Sequence, residues 1–269
     1  GKLLGTVADS KQGLATADNN RFLREWYEVP LFKIKFDAQS IEEAAQSNHK
    51  WFPYNKGGEF RKWYGNNDYV VNWENDGLEI RNFKDDKGKL RSRPQNTEYY
   101  FRESVSWSLV TSSVTAFRYK AQGNIFDVAG MSFFSKKNLF YLLALCNTKV
   151  VMEILKVIAP TINYQCGDIA NIPVLFDDEQ KPFIESIVQN NIAISKVDWD
   201  TFETSWDFVK HPLIRHISTV ADAFAQLKAE CNNRFIQLKA NEEELNRIFI
   251  NIYDLQEELT PEIEDKDVT

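Results

Sequence analysis

The chain has 269 residues, of which 43% are hydrophobic and 13% aromatic, so the composition excludes an intrinsically disordered protein and permits a sizeable core. A formal net charge of −7 argues against a general binder of polyanions. The charge is uneven, because residues 1–120 hold 19 Lys and Arg against 16 Asp and Glu, whereas residues 121–269 hold 13 against 23. A basic face in the first half is therefore compatible with the acidic total.

Three widely separated cysteines without a C-x-x-C pair indicate a reduced, cytoplasmic protein, and no secretory signal is recognisable. The most apolar region, 139–159, is interrupted by Asn147, Lys149, Glu153 and Lys156, so neither a membrane span nor a membrane partner is predicted. Because the first residue is glycine rather than methionine, we expect the chain to be part of a longer protein.

The first half of the chain predicts a lead-in segment and a set of short strands. Residues 1–28 form the N-terminal segment. Residues 30–136 are rich in β-branched and aromatic side chains, interrupted by the turn signals NKGG, GNND, ENDG, DDKGK and AQGN. This pattern predicts strands at 68–73, 104–110, 115–120 and 124–130.

Helical spacing begins after residue 136. Apolar residues three and four apart predict one helix over 137–158, which Pro160 ends. Residues 167–176 predict a short return to the sheet, and we expect Asp177 or Asp178 to cap the next helix.

Two further helices are predicted near the C-terminus. Apolar residues recur at spacings of three and four over 217–238 and again over 245–259. Asn241 and Glu244 resemble a capping box, so we expect two helices that meet near Ala240. Together these patterns predict an α+β fold, in which a mixed β-sheet with packed helices precedes a C-terminal helical hairpin or coiled-coil spacer.

Several catalytic motifs are absent from the sequence. The 11 glycines include no G-x-G and no G-K-[ST], which excludes the dinucleotide fingerprint, the usual S-adenosylmethionine loop and the P-loop. No two prolines are adjacent, so no N-P-P-Y-type amino-methylation motif is present. His49, His211 and His216 lack metal-ligand spacing, and the Glu-x-Lys pairs at 179–181 and 264–266 lack the upstream aspartate of a nuclease. We therefore predict no catalytic residue and no metal ligand, and rank a self-sufficient nuclease last.

The stretch KWFPYNKGGEFRKWYGNNDYVVNW, residues 50–73, combines eight aromatic and four basic side chains. In one interpretation the cations are solvated and the aromatics form core: Trp51, Phe52, Trp63, Tyr69 and Trp73. In the other, a loop brings backbone amides, Arg61, Lys62 and Tyr64 against phosphates, sugars or bases, and Gly57–Gly58 permits close backbone approach.

A second basic run, KDDKGKLRSRPQN at 84–96, favours nucleic-acid binding. It holds five cations, Lys84, Lys87, Lys89, Arg91 and Arg93. Arginine reads guanine through two hydrogen bonds, and Asn or Gln, here Gln95 and Asn96, reads adenine. The alternative is a polar hairpin tip without a ligand.

Six blocks of the sequence resemble one known family. They are KQGLATADNNRFLREWYEV, KWFPYNKGGEFRKWYGNNDYVVNWENDG, LRSRPQN, YYFRESVSWS, FRYKAQGNIFDVAGMSFF and NYQCGDIANIPV. In this order they resemble the region after the catalytic domain of BREX-type adenine-specific DNA methyltransferases, the PglX family, which is related to Type IIG restriction–modification enzymes. The last block, extended to FDDEQ, is also similar to the close of recognition domains in Type I specificity subunits. Ala17 stands where the family usually has a glycine.

The resemblance implies a DNA target-recognition domain at 29–176, a linker at 1–28 from a methyltransferase domain, and a helical spacer at 177–269. The parent enzyme would use S-adenosylmethionine to methylate adenine N6, whereas this chain would hold no cofactor. Its partners would be double-stranded DNA and the N-terminal methyltransferase domain, which would receive the flipped adenine.

Site residues follow from these loops. We expect DNA-backbone contacts from Lys11, Thr16, Asn19, Asn20, Arg21, Lys56, Arg61 and Lys62. We expect base contacts from Arg91, Arg93, Gln95 and Asn96. The alternative function is a protein-docking module, in which the Trp- and Tyr-rich loops bind another phage-defence component or a phage inhibitor.

Overall fold

The computed structural model describes residues 1–110, 115–160 and 163–269. Within these ranges the strands are β1 (Lys2–Leu3), β2 (Asp9–Lys11), β3 (Leu23–Glu25), β4 (Trp51–Asn55), β5 (Tyr69–Asn72), β6 (Ser104–Trp107), β7 (Phe117–Lys120), β8 (Ile125–Phe126), β9 (Ser132–Phe134) and β10 (Pro173–Val174). The α-helices are α1 (Asn19–Phe22), α2 (Ile41–Gln46), α3 (Glu74–Arg81), α4 (Leu139–Cys146), α5 (Lys149–Ile158), α6 (Cys166–Ala170), α7 (Lys181–Trp199) and α8 (Val220–Ile252). The mixture of helix and sheet predicted from the sequence is confirmed.

Three sheets organise the strands. One is antiparallel, in the order β2-β9-β6-β7, and a second has the order β3-β5-β4-β8, with β8 parallel to β4. The pair β1–β10 forms the third. The four predicted strands are present as β5, β6, β7 and β8, each shorter than expected. The first 25 residues contribute β1, β2 and β3, one to each of these sheets. The N-terminal segment is therefore part of the folded structure.

Two large apolar cores lie against the two four-stranded sheets. The antiparallel sheet packs on α4, α5, α7 and α8 and buries Trp63, Trp107 and Tyr141. The mixed sheet buries Phe52 and Trp73. Of the aromatics expected in the core, Trp51, Phe52, Trp63 and Trp73 are buried, and Tyr69 is half-buried.

The single helix predicted over 137–158 is two helices, α4 and α5, separated at Asn147 and Thr148. The Asn147 side chain accepts from the Phe117 backbone N–H at 3.0 Å and donates to the Phe117 carbonyl at 2.9 Å. Asn246 accepts from the first amide of α5, that of Lys149, at 2.9 Å. The first two bonds tie the break to the backbone of β7, and the third satisfies the first amide of α5. Local periodicity could not reveal such long-range contacts.

The predicted pair of helices meeting near Ala240 is wrong, because α8 continues through that position. The Asn241 amide does not cap a helix but donates to Asn190 and Asn191 of α7, at 2.8 and 2.7 Å. The helical hairpin therefore consists of α7 and α8. The expected cap before α7 is present one turn early, where the Asp177 carboxylate accepts from the amides of Glu179 and Gln180.

No helix in the described ranges combines the length and hydrophobicity that a bilayer span requires.

A buried carboxylate joins the sheets to the helices. Glu242 of α8 is 3% exposed, and its Oε2 lies 2.6 Å from the Lys62 Nζ. Its Oε1 accepts from the Trp63 indole N–H at 2.5 Å. One side chain of α8 therefore satisfies two consecutive buried polar groups of the loop between β4 and β5.

Replacing Glu242 with alanine should lower the free energy of unfolding by about 3–5 kcal/mol, because it leaves a buried ammonium and an indole N–H without their acceptor. Urea unfolding followed by tryptophan fluorescence measures this change. The control is Glu244→Ala on the same helix, which breaks a surface pair with Arg247 and should cost about 0–1 kcal/mol. Equal effects of the two substitutions would contradict the proposed importance of the junction.

Candidate nucleic-acid interface

The loop of residues 12–22, here the N-terminal loop, extends the mixed sheet beyond β8. Leu14 forms a parallel bridge with Asp127, and its N–H donates to the Phe126 carbonyl at 2.8 Å. Ala15 forms an antiparallel bridge with Arg93, with N–H to O distances of 3.0 and 2.8 Å. The sheet edge therefore brings together two segments that the sequence separately indicated for DNA binding.

Gln95 and Asn96 hold the N-terminal loop in place. Gln95 Nε2 donates to the Gly13 carbonyl at 3.0 Å, and Asn96 Nδ2 donates to the Gln12 carbonyl at 2.8 Å. Gly13 has no room for a side chain, because a Cβ there would lie 1.9 Å from the Phe126 carbonyl oxygen. The amide donors expected to read adenine are thus occupied inside the protein, which favours an anchoring role for both residues.

The tip of the N-terminal loop is shaped by its own side chains. The Thr16 hydroxyl is buried and donates to Asn19 Oδ1 at 2.5 Å. Asp18 caps α1 by accepting from the Arg21 amide at 3.1 Å. Thr16 therefore shapes the loop from within, whereas Asn19 and Asn20 are exposed.

Two arginines of the candidate interface share one aromatic ring. The guanidinium carbons of Arg21 and Arg91 lie 5.0 and 5.5 Å from the Phe83 centroid. Arg21 also pairs with Glu79 at 2.7 Å. Arg91 and Arg93 are exposed, and neither lies within ion-pair distance of a carboxylate in the described residues. These two arginines therefore present unneutralised charge at the sheet edge.

Lys56 lies close to Asp127, the residue that pairs with Leu14 at this sheet edge. Its ammonium is 4.8 Å from the Tyr69 centroid and favours the ionised form of the Asp127 carboxyl. Burial nevertheless raises the pKa of Asp127 above its ordinary value. Tyr54 contacts Asp127 Oδ2 at 2.5 Å and the Leu14 carbonyl at 3.1 Å, which fixes the N-terminal loop beside Lys56.

The glycine loop, residues 56–67, turns inward rather than presenting its amides. The Gly58 N–H donates to Ser108 Oγ at 3.2 Å, and the Gly58 carbonyl accepts from the same hydroxyl at 2.8 Å. Gly57 has φ +82°, and a Cβ there would lie 2.9 Å from the Ala129 carbonyl oxygen. The close approach that these glycines permit is therefore made to the protein itself.

Arg61 and Lys62 lie at the helical junction, which is at odds with their expected contact to DNA phosphates. Arg61 stacks 5.1 Å from the Trp199 ring and lies 3.4 Å from Asp198. The Lys62 side chain is 9% exposed and pairs with Glu242. A buried, paired ammonium cannot reach a phosphate, so Lys62 is structural.

Two buried cations on β7 were not anticipated. Arg118 is 1% exposed and donates to the Arg61 carbonyl at 3.1 Å, and burial lowers its pKa to about 10. Lys120 is 2% exposed and donates to Gly65 O, Asn66 O and Asn67 Oδ1 at 2.8, 3.0 and 2.6 Å. Burial also lowers the pKa of Lys120. Both side chains hold the glycine loop by donating hydrogen bonds to its oxygen atoms. They are two residues apart in the strand sequence FRYK, and this spacing is the sequence signal that could have indicated that they share one face of the sheet.

No group of three His, Cys, Asp or Glu side chains in the described residues could hold a metal ion. Burial raises the pKa of Cys146 well above its usual range and that of Cys166 to about 11, so both thiols stay protonated near neutral pH.

Comparison with known proteins identifies two relatives. The chain is 41% identical over 275 aligned positions to the adenine-specific methyltransferase PglX of Lacticaseibacillus casei (strain Zhang), and the match covers 99% of the chain. It is 35% identical over 243 positions to the adenine-specific methyltransferase BrxX of Escherichia coli O9:H4 (strain HS), covering 89% of the chain. The chain spans 22% and 19% of the lengths of these relatives. The resemblance seen in the sequence is confirmed. No protein-family profile matches the chain.

Replacing Ala17 with glycine should raise the free energy of unfolding by about 0.5–1 kcal/mol. Ala17 has φ +61°, a left-handed conformation that costs an L-residue about 1–2 kcal/mol and glycine almost nothing. Urea unfolding checks this expectation. The control Ala15→Gly changes a residue in the extended bridge to Arg93 and should destabilise. A destabilising effect of Ala17→Gly would contradict the strain at this position.

Proposed function

We propose that this chain, which corresponds to a segment of PglX-type adenine-specific methyltransferases, selects the DNA sequence on which the rest of such an enzyme acts. The observation that carries the proposal is the sheet edge at which the N-terminal loop and the Arg91–Arg93 segment meet. Two exposed arginines without carboxylate partners in the described residues stand there, in a chain of net charge −7. Arg91 and Arg93 are the base-reading residues, because guanidinium groups bind guanine O6 and N7 through two hydrogen bonds.

Backbone contacts surround this pair. Lys11, Asn19, Asn20, Arg21 and Lys56 are the cations and exposed amides around the N-terminal loop, and they set the register of the duplex. The other residues suggested by the sequence support the interface from within: Thr16, Gln95 and Asn96 shape the N-terminal loop, whereas Arg61 and Lys62 fix the glycine loop to the helices.

The helical hairpin of α7 and α8 acts as the spacer. Its tie to the glycine loop through Glu242 and Asp198 holds the recognition edge at a constant angle to the helices. In the whole enzyme, which would use S-adenosylmethionine and serve phage defence in the cytoplasm, this angle would present the flipped adenine to a catalytic pocket outside this chain.

A protein-docking role has a different observation in its favour. Tyr27, Leu31 and Phe32 are 56%, 58% and 78% exposed on one short segment after β3. Large exposed apolar side chains are typical of protein interfaces. The tryptophans expected to form docking hot spots, however, are buried at positions 51, 63 and 73. Specific DNA should compete with a bound protein only where the two surfaces overlap.

A region exchange tests the proposed function. The segment of Lacticaseibacillus casei PglX that matches this chain is replaced by the chain, and adenine methylation is mapped across the host genome. We expect methylation at a new motif, because sequence choice resides in the exchanged segment. The control restores the original segment at the same junctions. An active hybrid that methylates the original motif would refute the proposal.

Within that hybrid, Arg93→Ala should relax the motif at one base pair, with a loss of about 1–3 kcal/mol of discrimination. Arg91→Ala should act at a second base pair. Lys89→Ala is the matched control, since it removes the same charge from the same segment without a bidentate donor, and it should weaken binding to all sequences alike. Motifs unchanged in both arginine variants would remove these residues from base readout.

A further inference from the structure

A cavity of 600 Å³ lies beside β2, just before the N-terminal loop. Residues 5–9, which lead into β2, form one wall, and residues 134–138, which precede α4, form a second. Tyr99, Arg102 and Glu103 form a third. Its charged lining residues are Asp9, Arg102, Glu103, Lys136 and Lys137, and Tyr99 lies beside them. The role proposed above for the sheet edge uses none of these six residues.

The cations of this cavity lack carboxylate partners. Arg102, Lys136 and Lys137 are exposed, and none lies within ion-pair distance of a carboxylate in the part of the chain that the structure describes. Lys11, at the rim, is likewise without an ion pair there. Unpaired cations also occur elsewhere, as at Arg91 and Arg93, but here three of them line one concave site.

The two carboxylates of the cavity are each engaged by a tyrosine hydroxyl. Tyr119 donates to Glu103, and the Tyr99 hydroxyl interacts with the Asp9 carboxylate. Burial, followed by these bonds, raises the pKa of both tyrosines, so they remain protonated donors at neutral pH. Neither acid lies within ion-pair distance of Arg102, Lys136 or Lys137, so the donors of these cations stay available to an incoming anion.

Tyr99 also connects the cavity to the sheet edge. Lys11 Nζ and the Arg102 guanidinium lie 5.0 and 5.2 Å from the centroid of its ring. Asn96, three residues earlier, holds Gln12, the neighbour of Lys11. An anion in the cavity is therefore close along the chain to the segment that anchors the N-terminal loop.

We propose that this cavity binds phosphate groups, supplied by the DNA backbone that flanks the recognised site. The assignment to DNA rests on the proposed function, whereas the phosphate chemistry does not. Arginine and lysine donors around a concave site suit tetrahedral oxyanions. A free nucleotide presents the same chemistry and is the second source to test.

The test compares two triple variants of this chain. The cavity variant is Arg102→Gln, Lys136→Gln and Lys137→Gln. The control is Lys33→Gln, Lys210→Gln and Lys228→Gln, which removes the same charge from exposed positions elsewhere. Circular dichroism verifies that both variants fold. Pyrophosphate binding, measured by calorimetry, should weaken at least tenfold in the cavity variant and stay within twofold of wild type in the control.

DNA binding separates the two sources. With a duplex, the slope of log K against log[salt] is negative, and its magnitude should decrease by about 2–3 in the cavity variant. This is near 0.9 for each phosphate that is no longer neutralised. Weakened pyrophosphate binding with an unchanged DNA slope would keep the phosphate site and assign it to a free nucleotide. Unchanged pyrophosphate binding together with an unchanged slope would overturn the inference about the cavity. The proposed function would still stand if the protein prefers particular bases. Conversely, if the wild type shows no base preference, the proposed function fails, and the pyrophosphate result alone decides whether the cavity binds phosphate.

A second variant checks the role of the tyrosine. Tyr99→Phe removes the hydroxyl that engages Asp9, so the freed carboxylate should compete with phosphate and weaken pyrophosphate binding several-fold. Tyr27→Phe is the matched control, because it frees Glu25 outside the cavity in the same way. Equal pyrophosphate affinities in wild type, Tyr99→Phe and Tyr27→Phe would count against the arrangement.

Discussion

The buried carboxylate of Glu242 is the contact on which the rest of the architecture depends. It accepts from the ammonium of Lys62 and the indole of Trp63, two adjacent groups on a loop between strands, and it does so from the middle of the longest helix. A buried charge is costly without a partner, so the loop and the helix must keep one relative position. That single geometry links the sheets, which carry the candidate interface, to the helical hairpin.

This junction explains why one short stretch contains so many aromatic and basic side chains. The tryptophans fill the cores, and the cations divide between two surfaces. Lys56 stays at the sheet edge beside Tyr69, whereas Arg61 and Lys62 turn to the helices. From the opposite side Arg118 and Lys120 hold the carbonyls of the same loop. Cations that suggest a nucleic-acid surface in the sequence are here largely the means by which a glycine-rich loop is held rigid.

The charge of the chain is consequently a poor guide to its surface. A net charge of −7 coexists with arginines at 91, 93 and 102 that are exposed and, among the described residues, without a carboxylate partner. Carboxylates elsewhere are engaged by lysines and backbone amides. The sheet edge lies at the N-terminal loop, and the cavity lies at the start of β2, the strand that precedes this loop. Such an arrangement suits a duplex whose bases are read at one place and whose phosphates are held at the other.

Local pattern alone sufficed for strand β5 and for the helical character of the last third, since each depends on residues close together in the chain. The order of the six sequence blocks sufficed for the kinship with adenine-specific methyltransferases. Local pattern failed at Asn147, where a side chain bonded to Phe117 divides a helix, and at Asn241, which bonds to α7 instead of capping. It could not distinguish the exposed Arg93 from the buried Lys62. Nor could it show that the Asn96 amide is bonded to the Gln12 carbonyl and not free to contact a base. Whether a charge is solvated or paired depends on neighbours up to 180 positions away, as for Lys62 and Glu242, and only the folded chain brings those neighbours together.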